Sequence, residues 1–130
     1  MVGEKGMVKK VMVVDDDLGV IYTVKHGMEN LDKDYKITPV HSGKECLDLL
    51  QKKEIPDLIL LDIMMPEMTG WEVHKRIKEN DEWKKIPIVF LTARTDHIAK
   101  QAGGFLGDDY IEKPFKVPDL KARLDKILKK

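Results

Sequence analysis

Apolar runs alternate with stretches of helical period five times along this chain. "VKKVMVV" (Val8 to Val14) predicts a first strand closing on "DDD". From Leu18 onward, Leu18, Ile21, Val24, Met28 and Leu31 recur at threes and fours, one face of a helix. Asp17 is placed to cap it. "YKITPV" (Tyr35 to Val40) predicts a second strand, and Pro39 assigns it to a sheet edge, because proline has no N–H for a central ladder. "SGKE" (Ser42 to Glu45) is a capping-box pattern opening a helix with Cys46, Leu49 and Leu50 inward. "DLILL" (Asp57 to Leu61) is a continuous apolar strand, as expected of one covered on both faces. "TGWE" (Thr69 to Glu72) is a second capping box, leading into Trp71, Val73 and Ile77. "IPIVFL" (Ile86 to Leu91) predicts the fourth strand, and a helix from Thr95 or Asp96 ends at Gly103 and Gly104. Tyr110 and Ile111 form the heart of a short fifth strand. Pro118 suits the first turn of a fifth helix carrying Leu120, Leu124, Ile127 and Leu128.

Strand and helix in alternation predict a doubly wound α/β domain, with five parallel strands and five helices on both faces. With the proline-bearing strand at an edge, the favoured order is 2-1-3-4-5, the flavodoxin-like arrangement. No linker or repeat divides residues 1–130, so a single domain is expected, its core from about residue 7.

In such sheets ligands bind outside the carboxyl ends of the strands. The predicted strands end there on Asp15 and Asp16, on Asp62, on Thr92 and on Lys113. Three crowded carboxylates repel, and a cation relieves them. Hard oxygen ligands suit Mg²⁺, which keeps several waters of its own. A carboxylate held beside such an ion can attack phosphorus and form an acyl phosphate. Lys113 and Thr92 are the cation and hydroxyl needed for the remaining phosphoryl charge. The stretch "LLDIMMP" then has a purpose: an apolar stalk presents Asp62, and Pro66 turns the chain beyond it.

Composition narrows the alternatives. Lys plus Arg and Asp plus Glu number 23 each, so net charge gives no push toward nucleic acid or a membrane surface. No apolar run approaches the roughly 20 residues of a membrane helix. The single cysteine, Cys46, forms no internal disulfide, and a cytoplasmic setting is expected. The histidines, His26, His41, His74 and His97, lack zinc-site spacing. No Gly-rich phosphate loop supports nucleotide binding.

"VVDDD", "LLDIMMP", "LTA" and "YIEKPF" resemble the four sequence blocks of response regulator receiver domains of two-component signalling, single-domain chemotaxis or phosphorelay type. The resemblance runs from about Met7 to the end. It implies Asp62 as phosphoacceptor, with a histidine kinase or phosphotransfer protein as donor. It implies Mg²⁺ held by Asp15, Asp16, Asp62 and the main-chain carbonyl of Met64. Thr92, Ala93 and Lys113 would surround the phosphoryl group. Thr92 and Tyr110 would form the switch, and the bond before Pro114 would be cis. Slow self-catalysed phosphorylation and dephosphorylation is implied in place of enzymatic turnover. The expected output is binding to a downstream target protein, by a monomer or a phosphorylation-dependent dimer, without direct nucleic-acid contact.

Two departures stand out. "PEMTG" has Thr69 where the family has Asp, and "GDDY" is one residue shorter than the common "GADDY". Met64 and Arg94 occupy positions that tune acyl-phosphate hydrolysis, which predicts a long-lived phosphorylated state. Each block alone also has an ordinary reading: capping residues at Asp15 to Asp17 and Asp62, a strand end at Thr92, a loop at "KPF". Two other functions remain open. One is a receiver belonging to a longer transcriptional regulator or hybrid kinase. The other is a Mg²⁺-dependent aspartyl-phosphate phosphohydrolase, disfavoured because Met64 stands where a second acid is usual.

Overall fold

A computed structural model describes residues 8–93 and 109–129. The elements are β1 (Lys9–Val14), α1 (Leu18–Leu31), β2 (Tyr35–Val40), α2 (Gly43–Gln51), β3 (Leu58–Asp62), α3 (Gly70–Lys78), β4 (Ile88–Thr92), β5 (Asp109–Glu112) and α4 (Val117–Leu128). All strand pairs are parallel, in the order β2-β1-β3-β4-β5. The expected order and edge position of the proline strand are therefore present. Four helices lie among the described residues. The helix expected from Thr95 or Asp96 to Gly104 falls outside them, as does Arg94.

Period-two alternation in the strands builds two cores, one on each face. Met12, Val14, Ile59, Leu61, Ile88 and Phe90 pack with Cys46, Leu50, Val73 and Ile77 of α2 and α3. Val11, Val13, Leu58, Leu60, Val89 and Leu91 pack with Ile21, Val24 and Met28 of α1 and with Leu120 and Leu124 of α4. β3 and β4 are buried along their whole length, which explains their unbroken apolar sequences. The expected α1 stripe is too wide: Leu18 is 67% and Leu31 51% exposed. Each ends the helix, where a neighbouring turn lies on one side alone. The fourth strand begins at Ile88, two residues later than the apolar run, because Ile86 N–H closes a turn on Trp83 O and Pro87, lacking an N–H, contributes only its carbonyl, to Ile59 N–H.

Side chains cap three of the four described helices, while α4 starts with Pro118 in its first turn and no side-chain cap. Asp17 Oδ1 accepts from the N–H groups of Gly19 and Val20. Ser42 Oγ accepts from Glu45 N–H, but Glu45 returns the bond to His41 N–H, one residue before the cap. Thr69 Oγ1 likewise accepts from Glu72 N–H, while the Glu72 carboxylate is engaged with Arg76 one turn on. Both predicted boxes thus supply their first half.

At the opposite end of the sheet from the strand termini, Tyr35 Oη donates to Asp125 Oδ1 at 2.7 Å and Lys121 Nζ donates to Asp125 Oδ2 at 2.7 Å. Burial opposes the Asp125 charge, but Lys121 and Tyr35 outweigh it and hold this carboxyl below the usual carboxylate range. Its stabilising effect is thus complete above the unfolded pKa, about 3.9, and is lost as pH falls through the lower folded value. Asp125→Asn is expected to cost about 1 kcal/mol at pH 7, discounted for partial exposure, and less near pH 3. Urea unfolding at the two pH values measures this, and an equal loss at both would contradict it.

Candidate functional site

Backbone hydrogen bonds pin the strand ends that carry the polar residues. Asp15 N–H donates to Val40 O at 3.0 Å, Ile63 N–H to Leu91 O at 3.2 Å, and Lys113 N–H to Thr92 O at 2.7 Å. The registers place Val14 beside Leu61, Asp62 beside Leu91, and Thr92 beside Glu112. Asp15, Asp62, Thr92 and Lys113 therefore meet at one end of the sheet, with Asp16 next along the chain.

Lys113 bridges the two buried acids. Its Nζ lies 2.8 Å from Asp15 Oδ2 and 3.3 Å from Asp62 Oδ1. Asp15 is 0% and Asp62 4% exposed. Asp15 Oδ1 accepts from Asp17 N–H at 2.9 Å, so the residue that caps α1 also fixes the orientation of its neighbour. The ion pair from Lys113 to Asp15 Oδ2 lacks hydrogen-bond alignment, leaving that buried oxygen with no hydrogen-bond donor. Oxygens of Asp15, Asp16 and Asp62 lie within 4.8 Å of one another.

Burial first, then the Asp15 charge, pushes the Asp62 carboxyl up to about 6, against the pull of Lys113. Burial opposes the Lys113 charge, yet Asp15 and Asp62 outweigh it and raise that pKa above the ordinary lysine value. Among the described residues, three carboxylates face a single ammonium here. An all-oxygen set with an unsatisfied buried oxygen and excess negative charge fits a hard divalent cation such as Mg²⁺.

The other expected residues are placed as follows. Thr92 is buried and Ala93 exposed. The Met64 side chain is 64% exposed, whereas Met65 is buried in the core. Tyr110 is half-buried on β5 and packs against the α2–α3 core. The Lys113–Pro114 peptide bond is cis. Met68 N–H donates to Pro66 O at 2.7 Å across Glu67, whose φ of 69° makes a tight three-residue turn after the acid.

Two features escaped the sequence reading. Gly70 N–H donates to Ile63 O at 2.8 Å, and a side chain at Gly70 would overlap the Asp62 carbonyl oxygen. The glycine after a capping threonine was the available signal. Arg123 also binds both oxygens of Asp109 at 2.8 Å and donates to Tyr110 O at 3.1 Å, tying α4 to β5. Nothing in local sequence pattern announces a pair 14 residues apart.

The family model for the response regulator receiver domain matches residues 11–125. The chain belongs to that family. A relative from Vibrio cholerae, a probable cyclic di-GMP phosphodiesterase, is 40% identical over 115 residues, 88% of this chain and 25% of the relative. The phosphate regulon transcriptional regulatory protein PhoB of Rhizobium meliloti is 32% identical over 95% of this chain and 54% of its own length. The receiver chain thus spans about half or less of these curated relatives. Among solved structures, the Vibrio cholerae chemotaxis protein CheY4 has a TM-score of 0.83 at 31% identity, covering 93% of this chain and 99% of that one. Response regulator protein TrrA from Thermotoga maritima, in complex with Mg²⁺–BeF, has a TM-score of 0.80 at 30% identity, covering 93% and 100%. Receiver domains serve two-component phosphorelay systems and bind Mg²⁺ at an acidic pocket. In this receiver no helix among the described residues is long and apolar enough to cross a membrane.

Proposed function

We propose that this receiver takes a phosphoryl group from a histidine kinase or phosphotransfer protein onto Asp62, and that the modification switches a surface for a downstream target protein. The observation that carries the reading is the Lys113 ammonium held between Asp15 and Asp62, at the carboxyl ends of four adjacent strands, β1, β3, β4 and β5. An Asp62 oxygen attacks phosphorus while the donor's bond to phosphorus breaks, and the leaving group departs with that bond's electron pair. Lys113 would then pair with a phosphoryl oxygen, Thr92 would donate its hydroxyl to another, and exposed Ala93 leaves room for approach. Asp15, Asp16, Asp62 and the Met64 carbonyl would hold Mg²⁺. When bound, the ion supplies charge neutralisation for the crowded carboxylates and the incoming phosphoryl oxygens.

Phosphorylation adds nearly two negative charges beside Lys113. In this reading Thr92 moves toward the phosphoryl group and half-buried Tyr110 turns inward, changing the surface around β5 and α4. The cytoplasmic setting, the absence of direct nucleic-acid contact and a phosphorylation-dependent dimer belong to the same proposal. Exposed Met64 beside the acid favours slow loss of the phosphoryl group, by limiting water access.

Mg²⁺ alone tests the metal component. Thermal unfolding should shift upward with added Mg²⁺, by about 2.7 kcal/mol at a hundredfold excess over Kd. Asp15→Asn should abolish the increment, and Asp17→Asn, which keeps the cap, should retain it. Labelling by a small acyl-phosphate donor should require the metal. A Mg²⁺ increment that survives in Asp15→Asn, or undiminished labelling in chelator, would overturn the assignment.

A second reading rests on the relatives' lengths: the sequence is the receiver portion of a longer regulator. The complete reading frame decides it. The phosphodiesterase activity named for one relative is not carried over, because this chain matches a quarter of that protein.

A further inference from the structure

β2 is an edge strand, and its peptide groups are arranged in an informative way. Asp34 O and Val40 O accept from the N–H groups of Lys9 and Asp15, so even-numbered residues turn toward β1. Alternation then turns Tyr35, Ile37 and Pro39 outward. Tyr35 N–H is taken by Asp32 O at 3.1 Å. Pro39 has no N–H at all. Ile37 is therefore the central outward residue able to offer an added strand both a donor and an acceptor.

Both of its groups are covered by α1. Ile37 N–H donates to Glu29 Oε2 at 2.8 Å, and Ile37 O accepts from Lys25 Nζ at 3.1 Å. The two side chains are paired with each other at 3.0 Å, one helical turn apart. The same chemistry recurs at the far edge of the sheet. Tyr110 N–H donates to Asp109 Oδ1 at 2.8 Å, and Tyr110 O accepts from Arg123, itself paired with Asp109. At each edge a carboxylate occupies the donor and a cation the acceptor.

We propose that Glu29 and Lys25 close the β2 edge, and that the closed edge is a latent pairing surface for a second copy of this chain. Exposed edge peptides are templates for strand addition, and proteins cover them with charge, proline or side chains. β2 carries the first two of these and receives the third from α1. Two copies fit because the strand is self-complementary about Ile37. An antiparallel pair centred there would exchange both Ile37 hydrogen bonds across a twofold axis, with Tyr35 opposite Pro39.

Amide hydrogen exchange and light scattering test this on the folded 130-residue chain. Glu29→Ala should speed exchange at the Ile37 amide by about tenfold, whereas Glu29→Gln, which keeps an acceptor oxygen, should leave it slow. Lys25→Ala/Glu29→Ala/Pro39→Val, which also restores a donor at position 39, should raise the mass toward twice that of wild type with concentration. Lys25→Ala/Glu29→Ala should move the same way by less, and it serves if the triple variant does not fold. Wild-type exchange at Ile37 in Glu29→Ala would overturn the closure. A folded variant with wild-type mass at every concentration would overturn the pairing surface.

Discussion

Asp62→Asn is expected to take phosphoryl incorporation from about one group per chain to background, with the fold intact. The reason lies in how the neighbouring acids are committed. Asp15 is wholly enclosed, with one oxygen bound by Asp17 N–H and the other committed to Lys113 at 2.8 Å. Asp16 is exposed and pairs with no lysine among the described residues. Asp62 combines a position at the end of a rigid central strand with a lysine at 3.3 Å. Stability provides the control. Burial and Asp15 raise the Asp62 carboxyl to about 6, so ionising it costs more in the fold than in the unfolded chain. That cost is absent below the unfolded pKa, about 3.9, grows as pH rises toward 6, and persists above it. In chelator at pH 7, Asp62→Asn should therefore be more stable than wild type, by an amount of order 1 kcal/mol, and at pH 3 the gap should close. Intact mass and urea unfolding read the two effects. Full labelling of Asp62→Asn would send the acceptor role elsewhere.

Gly70→Ala should damage the same chemistry without touching any polar side chain. The added Cβ would overlap the Asp62 carbonyl oxygen and stand 2.9 Å from Ile63 Cα. Backbone cannot swing aside as a side chain can, so either the start of α3 or the end of β3 must move. Overpacking of this kind costs about 1–3 kcal/mol. Displacement of a reacting group by about 1 Å costs on the order of a hundredfold in rate. Labelling of Gly70→Ala is expected to slow by that order at temperatures where circular dichroism reports full folding. Gly43→Ala is the comparison, since its Cβ would meet Val73 and Met68 side chains on α3 and in the preceding turn. It should lose stability and keep more of its labelling rate. Wild-type rate and stability in Gly70→Ala would show that the close approach does not position Asp62.

What could be read from sequence divides along physical lines. The sheet order followed from alternation and from Pro39, because those constraints act on the backbone itself. The convergence of the acids and Lys113 could be anticipated because topology brings strand ends together wherever the side chains point. Tertiary detail was harder. Leu18 and Leu31 fit the helical period yet stay exposed, since periodicity gives a direction and says nothing of whether a neighbour covers it. Glu45 was expected to close its box on the cap residue and instead bonds His41 N–H, a one-residue difference set by the approaching chain. Gly70 and the Arg123–Asp109 pair depend on contacts between separate segments, which no local pattern encodes. Thr69 replaces the family's usual acid without loss of the cap, because its hydroxyl accepts from Glu72 N–H. The shortened stretch before Tyr110 lies largely outside the described residues.

The most direct measurement is to label the protein with a small acyl-phosphate donor and Mg²⁺, cleave it under acidic conditions, and locate the phosphoryl group by fragment mass. The account predicts a single modified peptide, with the group on Asp62. Modification on Asp15, on Asp16 or at any site remote from Lys113 would contradict it.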